Sequence, residues 1–200
     1  MGFCEGVGVK FPRATRPLNL GQFKVLPKYM EAVVMNVDEV IKKYVSEQRG
    51  TYRLLSEKTK EFLSSILSSE GIVPHSITTR EKDPEELREK ITREGEVPDA
   101  LFNGIGDLAG VRIIAYFMSD VDKIVPLIEK EFNIDSKHSM DKRLSSDPAI
   151  FGYVSVHFVV EFRPEMLKLH EYTLFDKMKC EIHVRTILQH AWAEIEHDIV

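Results

Sequence analysis

The sequence predicts an α+β fold: a mixed β-sheet flanked by helices and preceded by further N-terminal helices. Three observations carry this. Segments 26–47 and 52–69 repeat apolar residues at helical spacing. Segments 109–118, 152–162 and 178–185 have the β-former content or the two-residue alternation of strands. Helical patterns at 120–131 and 187–200 separate and follow those strands, so a helical start leads into a strand–helix–strand–strand–helix core.

Taken in order, residues 1–22 are rich in Gly and Pro, show no period, and read as a loosely structured lead-in. In 26–47 the inward positions are Met30, Val33, Val34, Val37, Val40, Ile41 and Tyr44, and Gly50 is expected to end the helix. In 52–69 they are Leu54, Leu55, Phe62, Ile66 and Leu67, with Gly71 as the stop. Neither helix carries evident chemistry. The expected organisation is a lead-in and helical extension, 1–74, packing on a core domain, 75–200.

Within that core, Ile77-Thr78-Thr79 looks extended. Asp83 caps a helix over 84–93 whose first position is Pro84. AGVRIIAYFM, 109–118, reads as a central strand. Ser119-x-x-Asp122 is expected to cap the helix over 120–131, with Val121, Ile124, Val125 and Ile128 inward and Pro126 bending it. The polar run 136–150 reads as a loop. Strand 152–162 sends Val154, Val156, Phe158, Val160 and Phe162 to one face and Tyr153, Ser155, His157 and Glu161 to the other. Strand 178–185 sets Cys180, Ile182 and Val184 against Glu181, His183 and Arg185. The last helix runs through Ile187, Leu188, Ala191, Trp192 and Ile195 and reaches Val200 without a stop signal, so the domain is expected to continue.

Composition narrows the classes. A net charge of −5 argues against a large nucleic-acid footprint while leaving room for a local basic pocket. Cys4 and Cys180 form neither a zinc pattern nor a disulfide framework, which fits a reducing cytoplasm. Lys10, Arg13, Arg16, Lys24 and Lys28 interrupt the first 30 residues, no apolar run approaches the roughly 20 residues of a membrane span, and position 6 is Gly rather than a myristoylation Ser or Thr. Neither a signal peptide nor a membrane anchor is expected.

The chemistry-bearing residues concentrate on the polar strand faces. Glu181, His183 and Arg185 would sit about 7 Å apart on one side of a strand. The same pattern describes a half-exposed strand with its charges in water. If 152–162 pairs with 178–185, an aromatic ring, a hydroxyl, two imidazoles, a carboxylate and a guanidinium share one surface, which suits a nucleotide. Asp107, just before the strand bearing Arg112, is either a turn aspartate or, with Glu181, one of two carboxylates for Mg²⁺. Arg80 and Lys82 precede a helix, and Lys137, Lys142 and Arg143 make the 136–150 loop basic. On spacing alone Arg80 and Lys82 read as solvated charge, whereas the basic loop reads equally as a contact for nucleotide phosphates or as solvated charge. His190, Glu194 and His197 share a face of the last helix but lack zinc-motif spacing, and are expected to hydrogen-bond the back of the sheet.

Several of these segments together resemble the RelA/SpoT synthetase domain: Asp107-Leu-Ala-Gly-Val-Arg-Ile, Gly152-Tyr-Val-Ser-Val-His, Glu181-Ile-His-Val-Arg-Thr, and Gln189-His-Ala-Trp-Ala-Glu-Ile-Glu-His. Arg80-Glu-Lys and Lys90 are similar to that family's R-x-K segment and the lysine two turns later. The resemblance covers roughly 75–200. It implies a nucleotidyltransferase-like synthetase fold and transfer of the β,γ-pyrophosphate of ATP to the 3′-hydroxyl of GDP or GTP, giving AMP and the alarmone (p)ppGpp. It further implies that Asp107 and Glu181 bind Mg²⁺, with Glu181 also orienting or deprotonating the hydroxyl. Arg80 and Arg112 would sandwich adenine, and Lys82 and Lys90 would hold ATP phosphates. Tyr153 would stack on guanine, with His157, His183, Arg185, Lys137, Lys142 and Arg143 on the acceptor side. His183 stands where many members have Gln, and Glu86 where Ser is frequent. Two other readings stay open: a toxin-type enzyme acting on the tRNA 3′ end, and a regulatory module that binds nucleotides without turnover. A hydrolase is disfavoured, because the first histidine is His75. Self-association into a homo-oligomer is left open.

Overall fold

The structure is a computed structural model and describes residues 37–94, 102–141 and 155–199. It opens with α1 (Val37–Lys43), a π-helical turn (Tyr44–Gln48) and α2 (Arg49–Ser69), which follow one another without a break. Gly50 therefore does not end a helix; it lies inside one, facing open space. A helical Gly costs only about 0.5–1 kcal/mol relative to Ala, less than burial of Tyr44, Tyr52 and Leu55 along the same run returns. The π turn widens the helix locally, and the Tyr44 side chain packs inward near Phe102, ring centroids 5.9 Å apart. Residues 26–36 of the expected first helix lie outside the described residues.

Gly71 does stop α2. Its φ of +68° is a left-handed conformation that Gly adopts without a Cβ penalty. Its N–H donates to the Ser68 carbonyl at 3.2 Å and the Ile72 N–H to that of Leu67 at 2.8 Å, a double closure sealed by burial of Leu67 and Ile72.

The sheet contains β1 (Ser76–Glu81), β2 (Ala109–Ala115), β3 (Phe132–Ile134), β4 (Met140–Asp141), β5 (Val156–Phe162) and β6 (Cys180–Thr186). Its order is β1-β2-β6-β5-β3, with β4 also on β5. Among the described residues only the β2–β6 pair is parallel. The sheet is mixed, as expected. Between the strands run α3 (Pro84–Glu94) and α4 (Met118–Glu131), and α5 (Ile187–Ile199) follows β6 directly.

Local chemistry accounts for most boundaries. The Asp83 carboxylate accepts the Glu85 N–H at 2.9 Å, capping α3. At α4 the expected Ser119 cap does not form: the helix starts at Met118, and the Phe117 carbonyl takes the Asp120 and Val121 N–H groups instead. Strand β2 accordingly stops at Ala115, short of the expected 118. The run 136–150 is not wholly loop, because Met140 and Asp141 pair with His157 and Val156; residues 142–150 lie outside the described residues.

The core occupies one side of the sheet. Val111, Ile113, Val156, Phe158, Val160, Ile182 and Val184 are all buried there, together with Leu55, Leu63 and Leu67 of α2 and Val121, Ile124 and Ile128 of α4. Cys180 belongs to the same layer, and burial pushes its thiol up to about 12, which leaves it unsuited to act as a nucleophile. Among the described residues no helix is long and apolar enough to cross a membrane.

Candidate active site

Strand register builds the opposite face. Arg80, Gly110, Glu181 and Val159 are successive cross-strand partners on β1, β2, β6 and β5, and form one row. Thr78, Arg112, His183 and His157 form the next. The expected pairing of 152–162 with 178–185 is thus present, and it extends through β2 to β1.

Between Arg80 and Glu181 the row contains only Gly110, which has no side chain. A cleft of about 270 Å³ opens there, lined by Arg80, Gly110, Arg112, Glu181 and His183 together with Thr78, Thr79 and Val111. A Cβ on Gly110 would come no closer than 3.7 Å to any neighbour, so neither backbone nor packing demands Gly at this point. Its effect is to leave the cleft floor bare.

Asp107 sits in the turn before β2. Its Oδ2 accepts Lys82 Nζ and its Oδ1 accepts Lys90 Nζ, each at 2.9 Å. Burial pushes this carboxyl up, but the Lys90 and Lys82 hydrogen bonds more than reverse that and hold it below its ordinary range. Gly106 precedes it, with a Cβ position only 2.9 Å from Val159 Cγ1. The R-x-K segment is braced as well: Arg80 pairs with Glu86, Lys82 Nζ lies 3.6 Å from the same carboxylate, and the Tyr44 hydroxyl donates to the Lys82 carbonyl at 2.7 Å.

Glu181 lies among imidazoles. His183 Nε2 is 2.9 Å from Glu181 Oε2, and His157 Nδ1 is 3.8 Å from Oε1. The two rings are nearly stacked, centroids 3.9 Å apart and planes at 31°. The Ser155 hydroxyl contacts the far nitrogen of His157, Nε2, at 2.7 Å. Burial raises Glu181, but hydrogen bonding to His157 and His183 outweighs it, and the carboxyl stays well below its usual range. For His183, burial dominates and lowers the imidazole, so the ring is neutral near pH 7.

Other expected residues fall elsewhere. Arg185 is buried and reaches Glu194 of α5 at 3.5 Å; Arg112 approaches the same carboxylate at 3.7 Å and His190 Nδ1 at 3.3 Å. Glu194 therefore serves the polar face of the sheet, where a contact with its back was expected. The side chain of His197 is outside the described set. Lys137 is exposed in the turn after β3, where its backbone N–H caps Asp135, and it does not line the cleft. Tyr153, Lys142 and Arg143 lie outside the described residues. Sequence reasoning passed over Tyr44, Gly106, Gly110 and the bracing role of Glu86. Only Gly110 carried a sequence signal, as an isolated Gly inside a strand pattern.

Comparison with known proteins is consistent with this architecture. Residues 79–200 match the family described as a region found in RelA/SpoT proteins. The chain is 32% identical over 143 residues to GTP pyrophosphokinase YwaC of Bacillus subtilis; the match takes in 68% of this chain and 65% of that protein, so the chain spans somewhat less than two thirds of its length. The small alarmone synthetase 2 of Bacillus subtilis superposes with a TM-score of 0.59 at 28% identity, covering 76% of this chain and 77% of that one. The small alarmone synthetase 1 of the same organism, solved with its product pppGpp, gives 0.56 at 25% identity over 74% and 76%.

Proposed function

This chain belongs to the RelA/SpoT family, and on that premise we propose that it is a Mg²⁺-dependent pyrophosphokinase that moves the β,γ-pyrophosphate of ATP onto the 3′-hydroxyl of GDP or GTP. The observation that carries the reading is the registered row Arg80–Gly110–Glu181: a guanidinium and a carboxylate across a bare floor, with the doubly lysine-bound Asp107 before the same central strand.

In this reading the adenine enters over Gly110 between the planar guanidinium groups of Arg80 and Arg112. Lys82 and Lys90 exchange Asp107 for ATP phosphate oxygens, which frees that carboxylate. Asp107 and Glu181 are ionised oxygen donors of the kind Mg²⁺ takes alongside phosphate and water, so the donor set fits the ion. When bound, the ion supplies charge neutralisation on the transferred group. Glu181 orients the acceptor 3′-hydroxyl and takes its proton as the oxygen attacks the β-phosphorus. The bond from the β-phosphorus to the α-phosphate oxygen breaks, and AMP leaves. Because the transition state is mostly a matter of alignment and charge, fixed cations and a held nucleophile suffice. Tyr153, His157 and His183 take the acceptor nucleotide, with Lys142 and Arg143 toward its phosphates. Arg185, committed to Glu194, supports the sheet face instead. The relative named GTP pyrophosphokinase and the related structure solved with pppGpp support this choice of acceptor.

The test is incubation with γ-labelled ATP and, separately, GDP, GTP or deacylated tRNA. Label should pass to GDP or GTP with one AMP released per transfer. Transfer to tRNA alone would replace the acceptor, and tight nucleotide binding without transfer would leave a regulatory module.

A further inference from the structure

We propose that His157, Glu181 and His183 form a binding site for a first-row transition cation, Zn²⁺ or Co²⁺ in preference to Mg²⁺, that fills without nucleotide. One donor atom from each residue lies within 4.8 Å of the other two. A tetrahedral ion with ligands at about 2.0–2.1 Å holds its donors roughly 3.4 Å apart. His183 Nε2 lies 2.9 Å from Glu181 Oε2 and His157 Nδ1 lies 3.8 Å from Oε1, so each carboxylate oxygen has an imidazole nitrogen near that spacing. Small side-chain rotations would close it without moving either strand.

The disposition of nitrogens points the same way. His183 Nε2 is buried and lies 2.9 Å from Glu181 Oε2, so a ring nitrogen and a carboxylate oxygen face each other within the cluster. On His157 the Ser155 hydroxyl occupies Nε2, anchoring the ring from behind and turning Nδ1 toward Glu181. Metal-ligating histidines commonly have their second nitrogen held in this way. His183 and Glu181 also line the open cleft, so an ion held by three protein ligands would keep exchangeable positions for water or a substrate oxygen. Two imidazoles and one carboxylate are softer than the oxygen set Mg²⁺ prefers. Arg112 stands opposite His183 in register, with its guanidinium 3.7 Å from Glu194.

The site requires only these three residues and Ser155, and so stands whether or not the chain is a pyrophosphokinase. The experiment titrates the chelator-stripped full chain with Co²⁺, without nucleotide and in excess Mg²⁺, following visible d–d absorption, and repeats it with Zn²⁺ by calorimetry. One equivalent should bind with the absorption of a low-coordinate site. His183→Gln and His157→Gln should each weaken binding by about ten-fold or more, and Ser155→Ala by a smaller factor. Asp107→Asn, which removes the Mg²⁺ carboxylate of the proposed function, should bind Co²⁺ as the parent does. Unchanged binding in both histidine variants, loss in Asp107→Asn, or displacement by equimolar Mg²⁺ would each overturn the proposal. X-ray absorption of the Zn²⁺-loaded parent needs no variant: two imidazoles in the shell support the site, and an all-oxygen shell rejects it.

Discussion

Lys90 of α3 and Asp107 of the turn before β2 are joined by a 2.9 Å ion-paired hydrogen bond, and Lys82, just after β1, closes on the other carboxylate oxygen at the same distance. Three separate elements thus meet at one partly buried carboxylate. In the proposed function the same two ammonium groups would turn toward ATP phosphate.

Asp107→Asn and Glu181→Gln should therefore both abolish Mg²⁺-dependent AMP release. Losing a group that stabilises transition-state charge costs several kcal/mol, so the expected loss is at least ~100-fold at about 1.4 kcal/mol per ten-fold. The measurement is AMP formed from ATP and GDP across a Mg²⁺ series. Parent-like turnover in either variant removes that residue from the metal assignment.

Gly110 tests the cleft separately from the fold. Because a Cβ there meets nothing closer than 3.7 Å, and β-branched residues suit strands, Gly110→Val should leave the melting temperature unchanged or raise it slightly. Its methyl groups would project over the floor between Arg80 and Glu181. The expected result is ATP binding weakened by about ten-fold or more, the scale of 1–3 kcal/mol for intruding methyl groups in a packed site. Parent-like ATP affinity by calorimetry would show that the base does not lie over Gly110.

Gly106 makes the opposite prediction. An added Cβ would stand 2.9 Å from Val159, whose stiff β-branched side chain has little room to yield. Gly106→Ala should cost about 1–3 kcal/mol of stability and displace Asp107 beside it. Adding Val159→Ala in the same chain should recover part of the loss. A double-mutant cycle by urea denaturation checks this, and strict additivity would count against direct contact.

Asp135 supplies a pH dependence. It accepts Lys179 Nζ at 2.6 Å, His138 Nδ1 at 2.8 Å and the Lys137 N–H at 3.1 Å. The Lys179 bond chiefly holds its carboxyl well below the ordinary value, against the effect of burial. A carboxyl depressed in the folded state contributes stability that is full above its unfolded pKa and is lost as pH falls through the folded one. Between about pH 5 and pH 2 the parent should lose more stability than Asp135→Asn, which lacks this proton linkage. Parallel urea-midpoint curves for the two proteins over that range would contradict it.

Much of this molecule was legible along the chain because the relevant signals are local. Alternation in 152–162 and 178–185 assigned His157, Glu181 and His183 to polar faces, since adjacent strand residues must point oppositely. Asp83 announced the α3 cap, and Gly71 the end of α2, for equally local reasons. Gly50 misled because its intrinsic penalty is smaller than the burial gained along the continuous run. Ser119 misled because the Phe117 carbonyl already served the first free N–H groups.

Short-range periodicity, then, determined which residues share a strand face and where most elements lie, and the ordered motifs were enough to identify the family. What the tertiary structure decided is which faces meet. Opposing His157 to His183, setting a bare Gly110 between Arg80 and Glu181, and joining Lys82 and Lys90 to Asp107 all depend on register and helix placement. Those are set by the shared core on the other side of the sheet, where residues distant in sequence pack together and fix the strand register that the polar face inherits.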